Sequence, residues 1–122
     1  MKKILLVEDE RDLVELLTTR LQAAGYEVAV AYDGQQALDL VGQDAPDLIV
    51  LDLMLPKVDG YEVCRQLKAD KRTQKIPILV LTAHSTEEKL KTALDCGADA
   101  LFTKPFDPQA LLAKISELLS LS

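Results

Sequence analysis

The sequence holds one histidine and two cysteines in 122 residues, and neither Cys64 nor Cys96 belongs to a CxxC pair. No zinc-finger spacing is present, and nothing suggests the disulfide framework of a small secreted domain. Both thiols are expected to be free, Cys64 on the inner face of a helix. No apolar run approaches the ~18 residues of a membrane span. The start, MKKILLVEDE, turns acidic after the apolar run ILLV, which is too short for the core of a secretory signal. A cytoplasmic location is expected. Positive charge is also in deficit: 14 Lys and Arg against 20 Asp and Glu leave a net charge of −6. Such a surface disfavours non-specific binding to nucleic acid or anionic membrane, so any control of DNA would need another agent.

What is present is ordinary in bulk and informative in order. The length suits one domain, residues 1–122, with a sizeable core, and 48% hydrophobic and 28% charged residues fit a soluble globular chain. Short apolar runs occur at 4–7 (ILLV), 28–31 (VAVA), 48–51 (LIVL), 78–81 (ILVL) and 100–102 (ALF). Each is too short for a helix, and continuous apolarity suggests strands covered on both faces. Between them lie helical periodicities: Leu13, Leu16, Leu17, Leu21 and Ala24; Ala37, Leu38 and Val41; Val63, Cys64 and Leu67; Leu90, Ala93 and Leu94; Leu111, Leu112, Ile115, Leu118 and Leu119. Asp59 with Glu62 and Ser85 with Glu88 have capping-box spacing, and Asp107–Pro108 reads as an N-cap followed by proline at the first helical position. Gly25 and Gly97 stand where the first and fourth helices should stop. The segment KADKRTQK (68–75) reads as a solvated helix end and loop. The expected fold is α/β, a (βα)5 three-layer sandwich with a parallel sheet.

In such a sheet, ligands bind beyond the carboxyl ends of the strands, at the switch in strand order. The first strand is followed by Glu8, Asp9 and Glu10, the third by Asp52, the fourth by Thr82 and the fifth by Lys104. The second strand, expected at an edge, is the exception. Carboxylates converging on one point repel one another and raise their pKa values, which a bound cation relieves. Oxygen ligands without nearby His or Cys favour Mg²⁺. A metal, a lysine and a hydroxyl around an exposed carboxylate suit a phosphoryl group, with Asp52 as nucleophile. The acidic first loop argues against a bound flavin or dinucleotide phosphate, which use glycine-rich turns, and GxxxxGK[ST] is absent.

The segments LLVEDE, LDLMLPKVDG, ILVLTA and GADALFTKPF, in that order, resemble the signature of bacterial response-regulator receiver domains, the CheY-like family. The resemblance spans essentially the whole chain. It implies a flavodoxin-like sheet of order 2-1-3-4-5 and Asp52 as the phosphoacceptor. Asp9, Asp52 and the backbone carbonyl of Met54 would ligate Mg²⁺, with Glu8 acting through a metal-bound water. Thr82 and Lys104 would engage the phosphoryl oxygens, small Ala83 would leave room for them, and Lys104–Pro105 would be a cis peptide. A histidine kinase or phosphotransfer protein would be the donor. Phosphorylation would draw Thr82 and Lys104 inward and alter the surface of the fourth helix, fifth strand and fifth helix, for a partner, an output domain or dimerisation. Met54 and His84 occupy positions that influence how fast the acyl phosphate hydrolyses. The family often has an aromatic residue three before the lysine. Here Leu101 holds that place, and Phe102, on the opposite face of a strand, cannot substitute for it.

Two rival readings compete. An aspartate-nucleophile phosphatase of the haloacid dehalogenase type would carry a second Asp two residues after the nucleophile, where this chain has Met54. A pseudo-receiver would lack acidic or lysine positions that are all present here. The expectation is therefore a switch that assists its own phosphorylation and slow dephosphorylation rather than a turnover enzyme. Met1 suggests a natural start, and SELLSLS fits either a natural end or a boundary before an output domain.

Overall fold

The computed structural model describes residues 1–55, 59–83, 91 and 94–121. Five strands, β1 (Lys3–Val7), β2 (Glu27–Ala31), β3 (Leu48–Asp52), β4 (Ile78–Thr82) and β5 (Ala100–Thr103), form one parallel sheet in the order β2-β1-β3-β4-β5. Each extends the corresponding apolar run by at most one residue at either end. The central strands β3 and β4 are buried throughout, as strands covered on both faces must be, whereas β2 at the edge is largely half-exposed.

Among the described residues four helices are complete: α1 (Arg11–Ala23), α2 (Gly34–Gln43), α3 (Gly60–Ala69) and the C-terminal α4 (Pro108–Leu121). The helix expected between β4 and β5 falls mostly on residues outside the described set, as do Ser85, Glu88, Leu90 and Ala93. Lys91, Leu94 and Asp95, which are described, are helical. Local chemistry sets the helix ends. Asp33 and Asp59 accept from the amides of Gln36 and Glu62 at 2.8 and 3.0 Å, and Asp107 accepts from Gln109 at 3.0 Å just before Pro108. Gly25, at φ 93°, takes the left-handed turn that ends α1.

Alternation along the strands divides the core into two layers. One packs Leu5, Val7, Ile49, Leu51, Ile78 and Val80 against α2 and α3. The other packs Ile4, Leu6, Leu48, Val50, Leu79 and Leu81 against α1 and α4. Each fully buried aliphatic contributes roughly 1.5–3 kcal/mol of transfer free energy, so the central strands are the most strongly held part of the fold. Leu101 packs on the first layer and Phe102 on the second, where its ring meets Phe106 edge-on with centroids 6.3 Å apart. Both are partly buried, as the alternation predicts.

The segment 68–75 is more firmly tied than its charge suggests. The Lys68 ammonium donates to the carbonyls of Gln74 and Ile76 at 3.2 and 2.9 Å and to Asp99 Oδ2 at 2.8 Å. The same Asp99 oxygen accepts from the Ile78 amide at 2.8 Å. Lys68 thus clamps the loop after α3 to the start of β4 and to the turn before β5. A periodic reading of the sequence sees only a solvated charge there.

Candidate functional site

Among the described residues, the buried polar or charged ones are Glu8, Asp52 and Thr82, at 0, 3 and 1% exposure. All three lie at the carboxyl ends of strands. Glu8 follows β1, Asp52 closes β3 and Thr82 closes β4. Strand order explains the convergence, because β3 lies between β1 and β4.

Lys104 completes the group from just beyond β5. It must reach across β4, about 10 Å at the usual strand spacing, which suits an extended lysine. Its Nζ lies 2.9 Å from Glu8 Oε1 and 3.0 Å from Asp52 Oδ2. The Lys104 amide donates to the Thr82 carbonyl at 2.8 Å, anchoring the base of the side chain. The Lys104–Pro105 peptide is cis, as expected.

The remaining carboxylate oxygens are also placed. Glu8 Oε2 accepts from the amides of Asp9 and Glu10 at 3.0 and 3.2 Å. Asp52 Oδ1 accepts from the Met54 amide at 2.9 Å. Asp9 is exposed, and Met54 is 52% exposed at the mouth. Ala83 is exposed beside Thr82, and His84 lies outside the described residues.

The site has an electrostatic deficit. Glu8, Asp9 and Asp52 each offer a carboxylate oxygen, all within 4.8 Å of one another. Among the described residues Lys104 is the one cation that hydrogen-bonds them, so with all three ionised these four groups carry a net charge of −2 (three carboxylates, one ammonium). Glu8 registers this deficit. Burial first, then contact with Asp52, pushes its pKa from 4.5 up to about 7, against the pull of Lys104. Burial alone would lower the Lys104 pKa, but its hydrogen bonds to Glu8 and Asp52 outweigh burial, and the pKa is raised. Three oxygen donors, one exposed and two buried, and an unmet double negative charge fit a small hard divalent cation such as Mg²⁺.

Gly60 contributes by what it lacks. A Cβ there would stand 2.5 Å from both the Asp52 carbonyl oxygen and Leu53 Cα, and the Gly60 amide already donates to the Leu53 carbonyl at 3.3 Å. The start of α3 therefore lies directly against the backbone that carries Asp52. The DG pair in LDLMLPKVDG reads as a turn and a cap, and this close approach is additional to both.

The family described as "Response regulator receiver domain" matches residues 4–116. RpaA of Synechocystis, named as a DNA-binding dual master transcriptional regulator, is 45% identical over 119 residues, covering 98% of this chain and 49% of that protein. The alkaline phosphatase synthesis transcriptional regulatory protein PhoP of Bacillus subtilis is 48% identical over 118 residues, covering 97% and 48%. The chain thus spans about half the length of these relatives. Among solved structures, the signal receiver domain of a signal transduction histidine kinase from Syntrophus aciditrophicus superposes with a TM-score of 0.94 at 35% identity, covering 98% of this chain and 91% of that one. The receiver domain of sensor histidine kinase PA1611 from Pseudomonas aeruginosa, described with magnesium coordinated in its active-site cleft, has a TM-score of 0.90 at 29% identity, covering 98% of each chain.

Proposed function

The chain belongs to the response regulator receiver domain family, and from that premise we propose that Asp52 accepts a phosphoryl group from a histidine kinase or histidine phosphotransfer protein. The observation that carries this reading is the Asp52 carboxylate at the end of the central strand, held between the Lys104 ammonium at 3.0 Å and the Met54 amide at 2.9 Å. In the reaction an Asp52 oxygen attacks phosphorus, the phosphorus–nitrogen bond of the donor's phosphohistidine breaks, and the imidazole leaves with that electron pair. Lys104 moves its charge from the carboxylates toward the incoming phosphoryl oxygens, and the Thr82 hydroxyl, one residue from exposed Ala83, donates to another. Asp9 and Asp52, with the Met54 carbonyl, would hold Mg²⁺, and Glu8 would act through a bound water. When bound, the metal neutralises charge on the phosphoryl oxygens.

The domain is a phosphorylated switch rather than a turnover enzyme, because Met54 cannot serve as the proton carrier that an aspartyl phosphatase needs two residues after its nucleophile. It works in the cytoplasm; no helix among the described residues is long and apolar enough to cross a membrane. With the phosphoryl group in place, the surface near β5 and α4 changes its affinity for a partner or output domain. Beryllofluoride with Mg²⁺ tests this on the intact chain. It should shift the amide resonances of Thr82, Ala83 and Lys104, and the same mixture should leave Asp52→Asn unchanged. Equal shifts in both proteins would overturn the assignment of Asp52.

Metal affinity should depend on pH through Glu8. Its pKa of about 7 lies above the ordinary 4.5, so below pH 7 a proton already occupies the deficit that the metal would fill. Mg²⁺ binding must release that proton, so affinity is highest above pH 7 and falls by up to about tenfold for each unit below it. Titration calorimetry at pH 6 and pH 8 in two buffers of different ionisation enthalpy checks both the trend and the released proton.

A further inference from the structure

Cys64 and Cys96 take no part in the site above, yet the fold brings them together from 32 positions apart. Cys64 lies on the buried face of α3, and Cys96 immediately precedes Gly97, whose φ is 97°. They share one core layer, at 0 and 4% exposure. The Cys64 thiol donates to the Cys96 carbonyl oxygen at 3.3 Å. The two sulfurs are also inequivalent. Contact with Cys64 holds the Cys96 thiol below its ordinary value, with the backbone N–H groups of Ala98 and Cys96 and the Arg65 charge assisting against burial. The same contact, and then burial, push Cys64 up, so it stays protonated.

We propose that Cys64 and Cys96 form a peroxide-sensitive dithiol that closes to an intramolecular disulfide. Cys96, whose residue is 4% exposed against 0% for Cys64, takes the oxidant first. Its thiolate attacks one peroxide oxygen, the O–O bond breaks, and hydroxide leaves with the electron pair, giving a sulfenic acid on Cys96. The Cys64 sulfur then attacks the Cys96 sulfur and displaces the hydroxyl group, which departs as water with the Cys64 proton. The hydroxide takes up the proton that Cys96 lost. In sum, two thiols are oxidised, one hydrogen peroxide is reduced, and two waters form.

The bond would reinforce a junction that already exists. Lys68, one helical turn after Cys64, binds Asp99 at 2.8 Å, and a Cβ on Gly97 would meet Lys68 Cγ at 2.9 Å. α3 is thus already seated against the turn before β5. The cross-link would fasten α3, whose first residue abuts the Asp52 backbone, to the segment that joins β4 to β5. Oxidation would restrain the elements whose movement is expected to accompany phosphorylation.

Hydrogen peroxide treatment of the folded chain, followed by intact mass and a non-reducing peptide map, tests the proposal. The mass should fall by two hydrogens, and one cross-linked peptide pair should contain residues 64 and 96. Dithiothreitol should reverse both changes, and the oxidised chain should unfold at higher denaturant. Cys64→Ser should instead trap a dimedone-reactive sulfenic acid on Cys96, whereas Cys96→Ser should leave Cys64 unlabelled. The wild-type map decides the matter even if a serine variant folds poorly. Thiols that stay reduced until the chain is unfolded, oxygen addition without a cross-link, or only intermolecular dimers would each overturn the proposal.

Discussion

Lys104→Met should slow phosphoryl uptake by Asp52 on the order of 10²–10³-fold, the range seen when a preorganised donor to developing charge is removed. The substitution keeps an unbranched side chain, shorter by the terminal nitrogen, and deletes its charge and hydrogen bonds. It also takes the shared cation from Glu8 and Asp52, which are buried and lie 2.9 and 3.0 Å from it. Breaking one side of a buried ion pair costs about 3–5 kcal/mol when the remaining charge cannot escape. Here it can escape in part, because Glu8 can take a proton. Its pKa of about 7 is raised above the ordinary 4.5, so the folded state binds more protons than the unfolded state between those values, and this group lowers stability as pH rises through that window. Lys104 pulls that pKa down, so the variant extends the unfavourable window upward. The loss of stability should therefore be small near pH 5 and grow as pH rises, with Glu8 adding at most about 1.4 kcal/mol by pH 8, one pH unit past its wild-type pKa. At pH values above the raised Glu8 pKa, Mg²⁺ should bind the variant more tightly than the wild type, since neither an ammonium nor a proton then competes for the carboxylates. Urea unfolding at the two pH values, with uptake rates from a small acyl phosphate, measures all three effects. Equal pH dependence in the two proteins would show that Glu8 and Lys104 are not coupled.

Gly60→Ala should combine a loss of stability with a loss of phosphorylation. The new Cβ would meet two backbone atoms of the acceptor strand, Asp52 O and Leu53 Cα, each at 2.5 Å. Backbone cannot turn aside as a side chain can, so either α3 or the end of β3 must move. Overpacking of this kind costs about 1–3 kcal/mol, and alanine's helix preference returns less than about 1 kcal/mol of it. A displacement of about 1 Å at the nucleophile costs on the order of 10²-fold in rate. Gly42, inside α2, is the control, because a Cβ there would meet nothing within 4 Å. Gly42→Ala should gain up to about 1 kcal/mol and phosphorylate normally. Similar behaviour of the two alanine variants would remove the argument from close approach.

The sheet was legible because its strands are continuous apolar runs: nothing but a strand buried on both faces explains LIVL and ILVL at that length. The caps at Asp59 and Asp107 were legible because their chemistry is local. Asp9, Asp52, Thr82 and Lys104 came from position at strand ends, and the structure brings Glu8, Asp52 and Lys104 into direct contact. Long-range pairings were not legible. Lys104 and Glu8 are separated by 96 positions, and no local pattern announces that the lysine binds both acids. The crowding at Gly60 depends on how α3 lies against β3, which periodicity leaves open. Lys68 looked like surface charge because its three acceptors come from two loops. Leu101 and Phe102 fall on opposite layers by simple alternation, so an aromatic residue does not occupy the position three before Lys104.

The most direct measurement of the central claim is the intact mass of the protein after incubation with Mg²⁺ and a small acyl phosphate. The wild type should gain a single phosphoryl group that is stable to acid, labile to base and dependent on Mg²⁺, and Asp52→Asn should gain none. A phosphoryl group retained in Asp52→Asn, or none in the wild type with Mg²⁺ present, would contradict the assignment of Asp52 as the acceptor.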